Sequence, residues 1–300
     1  MILVTGATGN IGSKVLRRLS EAGVETRALS RDPRRGKMLP HVDWVQADLS
    51  DPATLPPAFE GVDRLFLLTG NVRPMAQLQK NAIDEAGAAG VDQVVKLSAR
   101  GAQPASKSAI ARWHHEVEIH LKASGLSWTM LRPHVFMQNL LDQAGRVRRE
   151  GTIRAAAGDG RIPFIDTRDI ANVAATVLTD PVEEYARQTH LLTGGVALDY
   201  SQVAAILGTV TDQEVSYVAE SLGEARTRLR TKNLPDWLID SKLALAEYQR
   251  AGGETARVTH DVFDVTGQPP RSMIHFAYDH RRVFTEHDVA SAAVGAVPVS

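Results

Sequence analysis

The feature that most restricts this chain is its opening run, MILVTGATGNIGSKVLRRL. A short apolar stretch of strand character leads into glycines at 6, 9 and 12, and a helical pattern follows at once. Glycine weakens strand and helix alike, so three of them at such a junction need a reason. The spacing supplies one: Gly6 permits a sharp turn, Gly9 lets backbone approach a pyrophosphate, and Gly12 lets the helix pack close to the strand. Thr8, Asn10 and Ile11, interleaved with the glycines, are expected to share in holding the dinucleotide. The bland alternative is a tight strand-to-helix turn with no ligand. The strand–loop–helix context is what makes the motif specific.

The pattern then alternates. VETRALSR, VDWVQADLSD, VDRLFLLTG, VDQVVKLSA and LSWTMLRP read as further strands. Helical stretches fall after the glycine loop, over about Met75 to Ala89 and over about Ser108 to Ser124. Strand and helix alternating with short glycine-bearing joints imply right-handed crossovers and a parallel sheet. Past Pro133 the rhythm changes. PHVFMQNLLDQAG reads as helical, TRDIANVAATVLTDP as a helix capped by Thr167 or Asp169, and QTHLLTGG as one more strand. The expected organisation is an α/β Rossmann-type, doubly wound parallel sheet over residues 1–133, with returning segments near 167–195. Residues 134–166 and 196–284 would form a smaller C-terminal α+β substrate lobe, and 285–300 a flexible tail.

Composition narrows the partners. The net charge of −1 argues against nucleic acid, which usually calls for a basic excess. No apolar run approaches the length of a membrane span. Cysteine is absent, so disulfides and thiolate chemistry are excluded. A cytoplasmic location is expected, because the first strand starts at Ile2 with no secretory leader ahead of it.

At the end of the second strand an acid marks NAD and a basic residue can accommodate a 2′-phosphate. Here the chain reads ALSRDPRRGK. Arg31 stands where the acid would be, with Arg34, Arg35 and Lys37 close behind, so NADP(H) is expected over NAD(H). Two alternatives stay open: Asp32 as a ribose acid one position late, and a merely solvated basic loop. Asp48 and Leu49, after the third strand, would lie beside the adenine. Thr69 and Gly70, after the fourth, would border the crevice at the carboxyl ends of the strands.

TGATGNIG together with RPHVFMQNLL, GDGRIPFIDTRDIA, LLTGGVALDYSQVAAILG and DVFDVTGQPPRSM resembles the NmrA-like branch of the atypical short-chain dehydrogenase/reductases, over nearly the whole chain to about Phe284. The resemblance implies a Rossmann fold with a small substrate lobe. It implies an NADPH-dependent reductase of quinones, triphenylmethane dyes or biosynthetic intermediates, or else an NADP-binding redox sensor or transcriptional co-regulator without turnover.

Typical short-chain dehydrogenases carry Tyr-x-x-x-Lys on the helix after the fifth strand and Ser or Thr at that strand's end. Here Ser98 is present, but the tyrosine position falls near Ile110 and the lysine position near His114, and no tyrosine occurs between Met1 and Arg149. A quinone, a dye or an iminium needs an acid less than a ketone does, because it delocalises or neutralises the incoming charge. A direct hydride transfer is therefore expected, with water, Ser98 or His114 assisting protonation. His114 would also contact the nicotinamide ribose, or be a structural histidine. Val135 and Phe136 would wall the nicotinamide, and Phe136, Met137 and Trp113 the substrate, with core packing as the alternative for Met137 and Trp113. RWHHEVEIH suggests a metal, but His114, Glu118 and His120 do not share one helix face, so none is expected. The expected partners are thus the dinucleotide and a small, apolar, conjugated molecule. A homodimer is the assembly considered.

Overall fold

Among the described residues nine strands carry the architecture: β1 (Ile2–Val4), β2 (Thr26–Ser30), β3 (Val42–Gln46), β4 (Arg64–Leu67), β5 (Gln93–Leu97), β6 (Ser127–Pro133), β7 (Thr152–Ala155), β8 (Gln188–Leu192) and β9 (Ser216–Ala219). The computed structural model describes residues 1–286, so the expected tail lies outside the described residues from 287 onward. Seven strands form one sheet in the order β3-β2-β1-β4-β5-β6-β8, every pairing parallel. The order reverses between β1 and β4, which opens the crevice where this class of sheet binds ligands. β7 and β9 make a separate two-stranded parallel ribbon.

The helices are α1 (Gly12–Glu21), α2 (Pro56–Phe59), α3 (Met75–Ala88), α4 (Ala109–Ala123), α5 (Ala144–Glu150), α6 (Thr167–Thr179) and α7 (Val182–Tyr185). They continue as α8 (Tyr200–Thr211), α9 (Leu222–Arg230), α10 (Asp236–Ala251), α11 (Asp261–Thr266), α12 (Met273–Asp279) and α13 (Arg281–Thr285). α1, α6 and α11 cover one face of the sheet through Val15, Leu19, Ile170, Val173, Val177 and Val262. α3 and α4 cover the other through Ala82, Ile83, Val117 and Leu121, against Leu65, Leu67, Val94 and Met130. With both faces covered, the central strands read as continuous apolar runs. A third core, from Met137, Ile153, Phe164, Leu207 and Phe276, holds the β7–β9 ribbon to α5, α8 and α12. β8 comes after that excursion, so the chain returns to finish the large sheet.

Local details differ from the sequence reading for physical reasons. α6 is capped by Asp166, whose carboxylate accepts from the Arg168 amide at 2.8 Å, and not by Thr167 or Asp169. Asp169 instead accepts from the Arg271 amide at 2.8 Å and pairs with the Arg271 guanidinium. The PHVFMQNLL segment leaves β6 extended, and Phe136 makes a parallel bridge to Ile165. Helical turns begin only at Met137.

Candidate active site

Four residues of the loop explain its geometry. Gly6 sits at φ +60°, and a Cβ there would lie 2.8 Å from the Leu68 carbonyl oxygen. At Gly12 a Cβ would come within 2.3 Å of the Gly6 carbonyl oxygen, so this glycine serves closure of the loop on itself rather than contact with the strand. At Gly9 the nearest protein atom would be that same oxygen at 3.1 Å, which leaves its outer side open for a ligand. Thr5 ties the floor of the loop to β4: its hydroxyl donates to the Leu68 carbonyl at 2.8 Å and accepts from the Leu68 amide at 2.9 Å.

The helix that follows has no capping side chain and no acid in its first turn. Among the described residues the Asn10, Ile11 and Gly12 amides donate to no carbonyl. Unsatisfied first-turn amides at the positive end of a helix dipole fit a pyrophosphate. Thr8, Gly9 and Asn10 are exposed around this cradle, whereas the Ile11 side chain is core, leaving its amide as its contribution. The residues present therefore fit a dinucleotide.

Beyond β2, Arg31 is exposed. Asp32, the rival for the ribose, accepts from the Arg34 amide and from Arg34 Nε at 2.8 Å, and that guanidinium holds its carboxyl below the usual range. Its oxygens are engaged within the loop. Asp48 likewise accepts from the Ser50 amide and hydroxyl. Leu49 is buried, its carbonyl accepting from Asn81 at 2.8 Å, and Thr69 Oγ1 accepts from Gln79 at 2.8 Å beside the exposed Gly70.

At the carboxyl end of β5 the structure brings together a buried polar network. Lys96 is fully buried, on the α4 side of the strand between Val94 and Ser98. Its Nζ lies 2.9 Å from His114 Nδ1 and donates to the Leu97 carbonyl at 3.2 Å. Ser98 donates to Glu118 Oε1 at 2.6 Å, and Arg132 of β6 grips Glu118 with two guanidinium nitrogens. Burial, partly offset by the Glu118 charge, pulls Lys96 down to about 7. Burial and the Lys96 and Arg132 charges push His114 well below the usual histidine value, so it is neutral. Burial alone would raise Glu118, but bonds from Arg132 and Ser98 outweigh it and hold the carboxylate ionised.

Lys96 escaped the sequence reading, which stopped at Ser98. The signal was a single lysine in an apolar strand that is covered on both faces, where an ammonium needs partners. Arg100 and His134 also went unread. Arg100 donates to the Arg257 carbonyl at 3.0 Å and to the Glu254 carbonyl, drawing the 253–257 segment over the end of β5. His134, first beyond β6, accepts from the Val135 amide at 2.8 Å. Burial and the nearby Arg100 charge push it down to about 3, so its proton sits on a sealed Nε2. A cavity of about 530 Å³ lies between Gly158–Arg161 and the Arg250–Ala256 stretch. Its walls are glycine, Ala256, Asp159, Arg161 and Arg250 rather than aromatic.

The remaining expected residues are spread over several elements. Met137 is buried in the lobe core. Trp113 packs on Trp237 with ring centroids 5.0 Å apart. Val135 and Phe136 remain partly accessible just past β6. His120 turns outward to Asp84 at 2.6 Å while His114 turns inward. Among the described residues no cluster of three or more His, Asp or Glu could hold a metal, and no helix is long and apolar enough to cross a membrane.

A family model described as NAD(P)H-binding matches residues 6–181, spanning the cradle, the β5 network and α6. The chain belongs to this NmrA-like, NAD(P)H-binding family. It is 38% identical over 287 residues to an NAD(P)H azoreductase of Xenophilus azovorans, covering 95% of this chain and 99% of that one. It is 35% identical over 286 residues to a (4-alkanoyl-5-oxo-2,5-dihydrofuran-3-yl)methyl phosphate reductase of Streptomyces griseus, covering 95% and 99%. Among solved structures, the quinone oxidoreductase QOR2 of Escherichia coli in complex with NADPH superposes with a TM-score of 0.85. It is 28% identical, and the match covers 93% of this chain and 99% of that one.

Proposed function

We propose that this chain is an NADPH-dependent reductase that delivers a hydride directly to a conjugated, electron-poor small molecule: a quinone, a dye or an imine. The observation that carries the reading is a complete dinucleotide cradle beside a strand end that offers Lys96, Ser98 and His114 but no phenol. Tyr185, Tyr200 and Tyr217 are spent elsewhere: on Asp180, in the Phe164–Tyr200–Tyr217 stack, and on the Ala155 and Gly158 carbonyls. Tyr248 and Tyr278 are exposed on α10 and α12. When bound, NADPH supplies the hydride. The protein's part is to orient and to protonate. Gly6, Gly9 and Gly12 with the free amides hold the pyrophosphate, Val135 and Phe136 border the ring, and His114 and Ser98 face the reacting end. An azoreductase at 38% identity supports an acceptor of this class.

NADPH oxidation against a panel of quinones, dyes and imines tests the reading, with turnover of at least one class expected. Tight NADP binding with no acceptor reduced would favour a sensor and end the reductase proposal.

The free, exposed Arg31, with Asp32 engaged by Arg34, supports NADPH over NADH. Arg31→Asp is expected to raise the Kd for NADPH by roughly ten- to hundredfold, the worth of a charge-assisted phosphate contact. The Kd for NADH should stay nearly unchanged. Calorimetry with both nucleotides checks this; equal affinities in the unmutated protein would refute the preference.

A further inference from the structure

We propose that Lys96 is the positioning residue of this site: it holds His114 as an Nε2–H donor at the crevice and stores the proton behind it. The inference rests on the reductase reading but is carried by its own geometry.

His114 Nδ1 lies 2.9 Å from Lys96 Nζ. An ammonium can only donate, so Nδ1 accepts and the ring proton of the neutral imidazole resides on Nε2. Nε2 makes no hydrogen bond to the described protein, yet it is not among the sealed, unpartnered buried atoms. Among the described residues nothing therefore caps Nε2, although the residue as a whole is only 8% exposed. This imidazole belongs to α4 at the position where the classical pair would place its lysine. Here the cation comes instead from the strand beneath, one residue before the β5 terminus.

The surroundings keep this lysine poised. α4 contributes His114 and Glu118 toward it, β6 contributes Arg132 and Met130, and β5 itself contributes Val94 and Ser98. β4 presents only the apolar Leu65 and Leu67 on this side. α3 spends Lys80 and Asp84 on Glu116 and His120, away from the cluster.

In the reductive step the acceptor gains the hydride and its two electrons, and the nicotinamide is oxidised. The acceptor's developing oxyanion or amide takes the proton from His114 Nε2. Lys96 passes one of its protons to His114 Nδ1 and is left as a neutral amine. After product leaves, a solvent proton enters at His114 Nε2 and the Nδ1 proton returns to Lys96, which restores both the ammonium and the Nε2–H tautomer. Lys96 is charged below about 7 and neutral above it. Once neutral, it accepts from Nδ1–H, the imidazole tautomer reverses, and the outward donor is lost. Turnover of a proton-demanding acceptor should therefore fall as pH rises through that value.

Nitrogen-15 NMR of the His114 ring in the cofactor-free protein, assigned with His114→Gln, reads this directly. On the acid side of the Lys96 midpoint we expect an unprotonated Nδ1 and a protonated Nε2, giving way to the reverse tautomer above it. Lys96→Met, similar in length and uncharged, should abolish that transition. It should also lower kcat roughly ten- to hundredfold, less than the hundredfold or more of a wholly lost acid because His114 is still present, flatten the pH profile, and leave the KM for NADPH within about twofold. A protonated Nδ1 on the acid side, or a midpoint that survives Lys96→Met, overturns the proposal. A purely structural lysine would instead cost cofactor affinity and leave the midpoint in place. If the variant does not fold, the wild-type titration decides alone. If no acceptor is reduced, the reductase reading falls by itself and the NMR titration still judges the Lys96–His114 coupling.

Discussion

Gly12→Ala is expected to remove NAD(P)H binding while leaving the sheet assembled. A methyl at this position would sit 2.3 Å from the Gly6 carbonyl oxygen and 2.8 Å from its carbon. No side-chain rotation relieves a contact with backbone, so the loop must open. Opening displaces the Asn10, Ile11 and Gly12 amides, which donate to no carbonyl among the described residues and are proposed to hold the pyrophosphate. Charge-assisted bonds of this kind are worth about 1.5–3 kcal/mol each, so losing two raises the Kd by at least about a hundredfold. Gly87→Ala is the control: a Cβ there meets nothing within 4 Å, on a helix with ordinary backbone angles. Alanine in place of that glycine should be neutral or slightly stabilising. Calorimetric titration with NADPH separates the two, and an unchanged affinity in Gly12→Ala would refute this account of the cradle.

Glu118→Gln is expected to be the most destabilising single change in the site. The carboxylate is 1% exposed and is held by Arg132, by Ser98 and by the Lys96 charge. The amide keeps the volume and loses the charge, leaving Arg132 as an uncompensated cation and driving Lys96 toward its neutral form. Breaking a buried pair in this way costs about 3–5 kcal/mol. The pH dependence follows from the sign of the shift. Glu118 titrates below its unfolded value, so its stabilisation is full above that value and is lost as pH falls through the lower, folded one. Urea unfolding at neutral and acid pH should show the wild type converging on the variant as acid is added. Because the Glu118 charge raises Lys96, the variant should also move the His114 tautomer midpoint to lower pH. A variant as stable as wild type at neutral pH would contradict the network.

What was legible in the sequence follows from where the physics is local. The apolar runs ending at Val4, Leu67 and Leu97 announce buried parallel strands, and glycine spacing announces the cradle, because both depend on near neighbours along the chain. The β5 network depends on residues brought together from 96, 98, 114, 118 and 132, and only the sheet register aligns them: Lys96 pairs with Met130 and Leu97 with Leu131, setting Arg132 alongside Ser98. His114 was visible by its offset from the following strand, but its partner was not. The cap of α6 illustrates the same limit on a smaller scale. The sequence offered Thr167 or Asp169 as the cap; Asp166 takes that place, and Arg271, more than a hundred residues on, engages Asp169. β9 was missed because its neighbour, β7, lies across the whole of α6 and β8.

The position of β1 bears on how the chain matures as it is synthesised. Its second flank is β4, and Thr5 and Gly6 close against Leu68. Chains emerge amino end first at about 5–20 residues per second, and parallel neighbours must wait for their crossovers. The glycines at 6, 9 and 12 thus leave the ribosome long before the wall they lean on. A nascent chain shorter than Leu68 carries the whole motif in its letters and has nowhere to seat a phosphate.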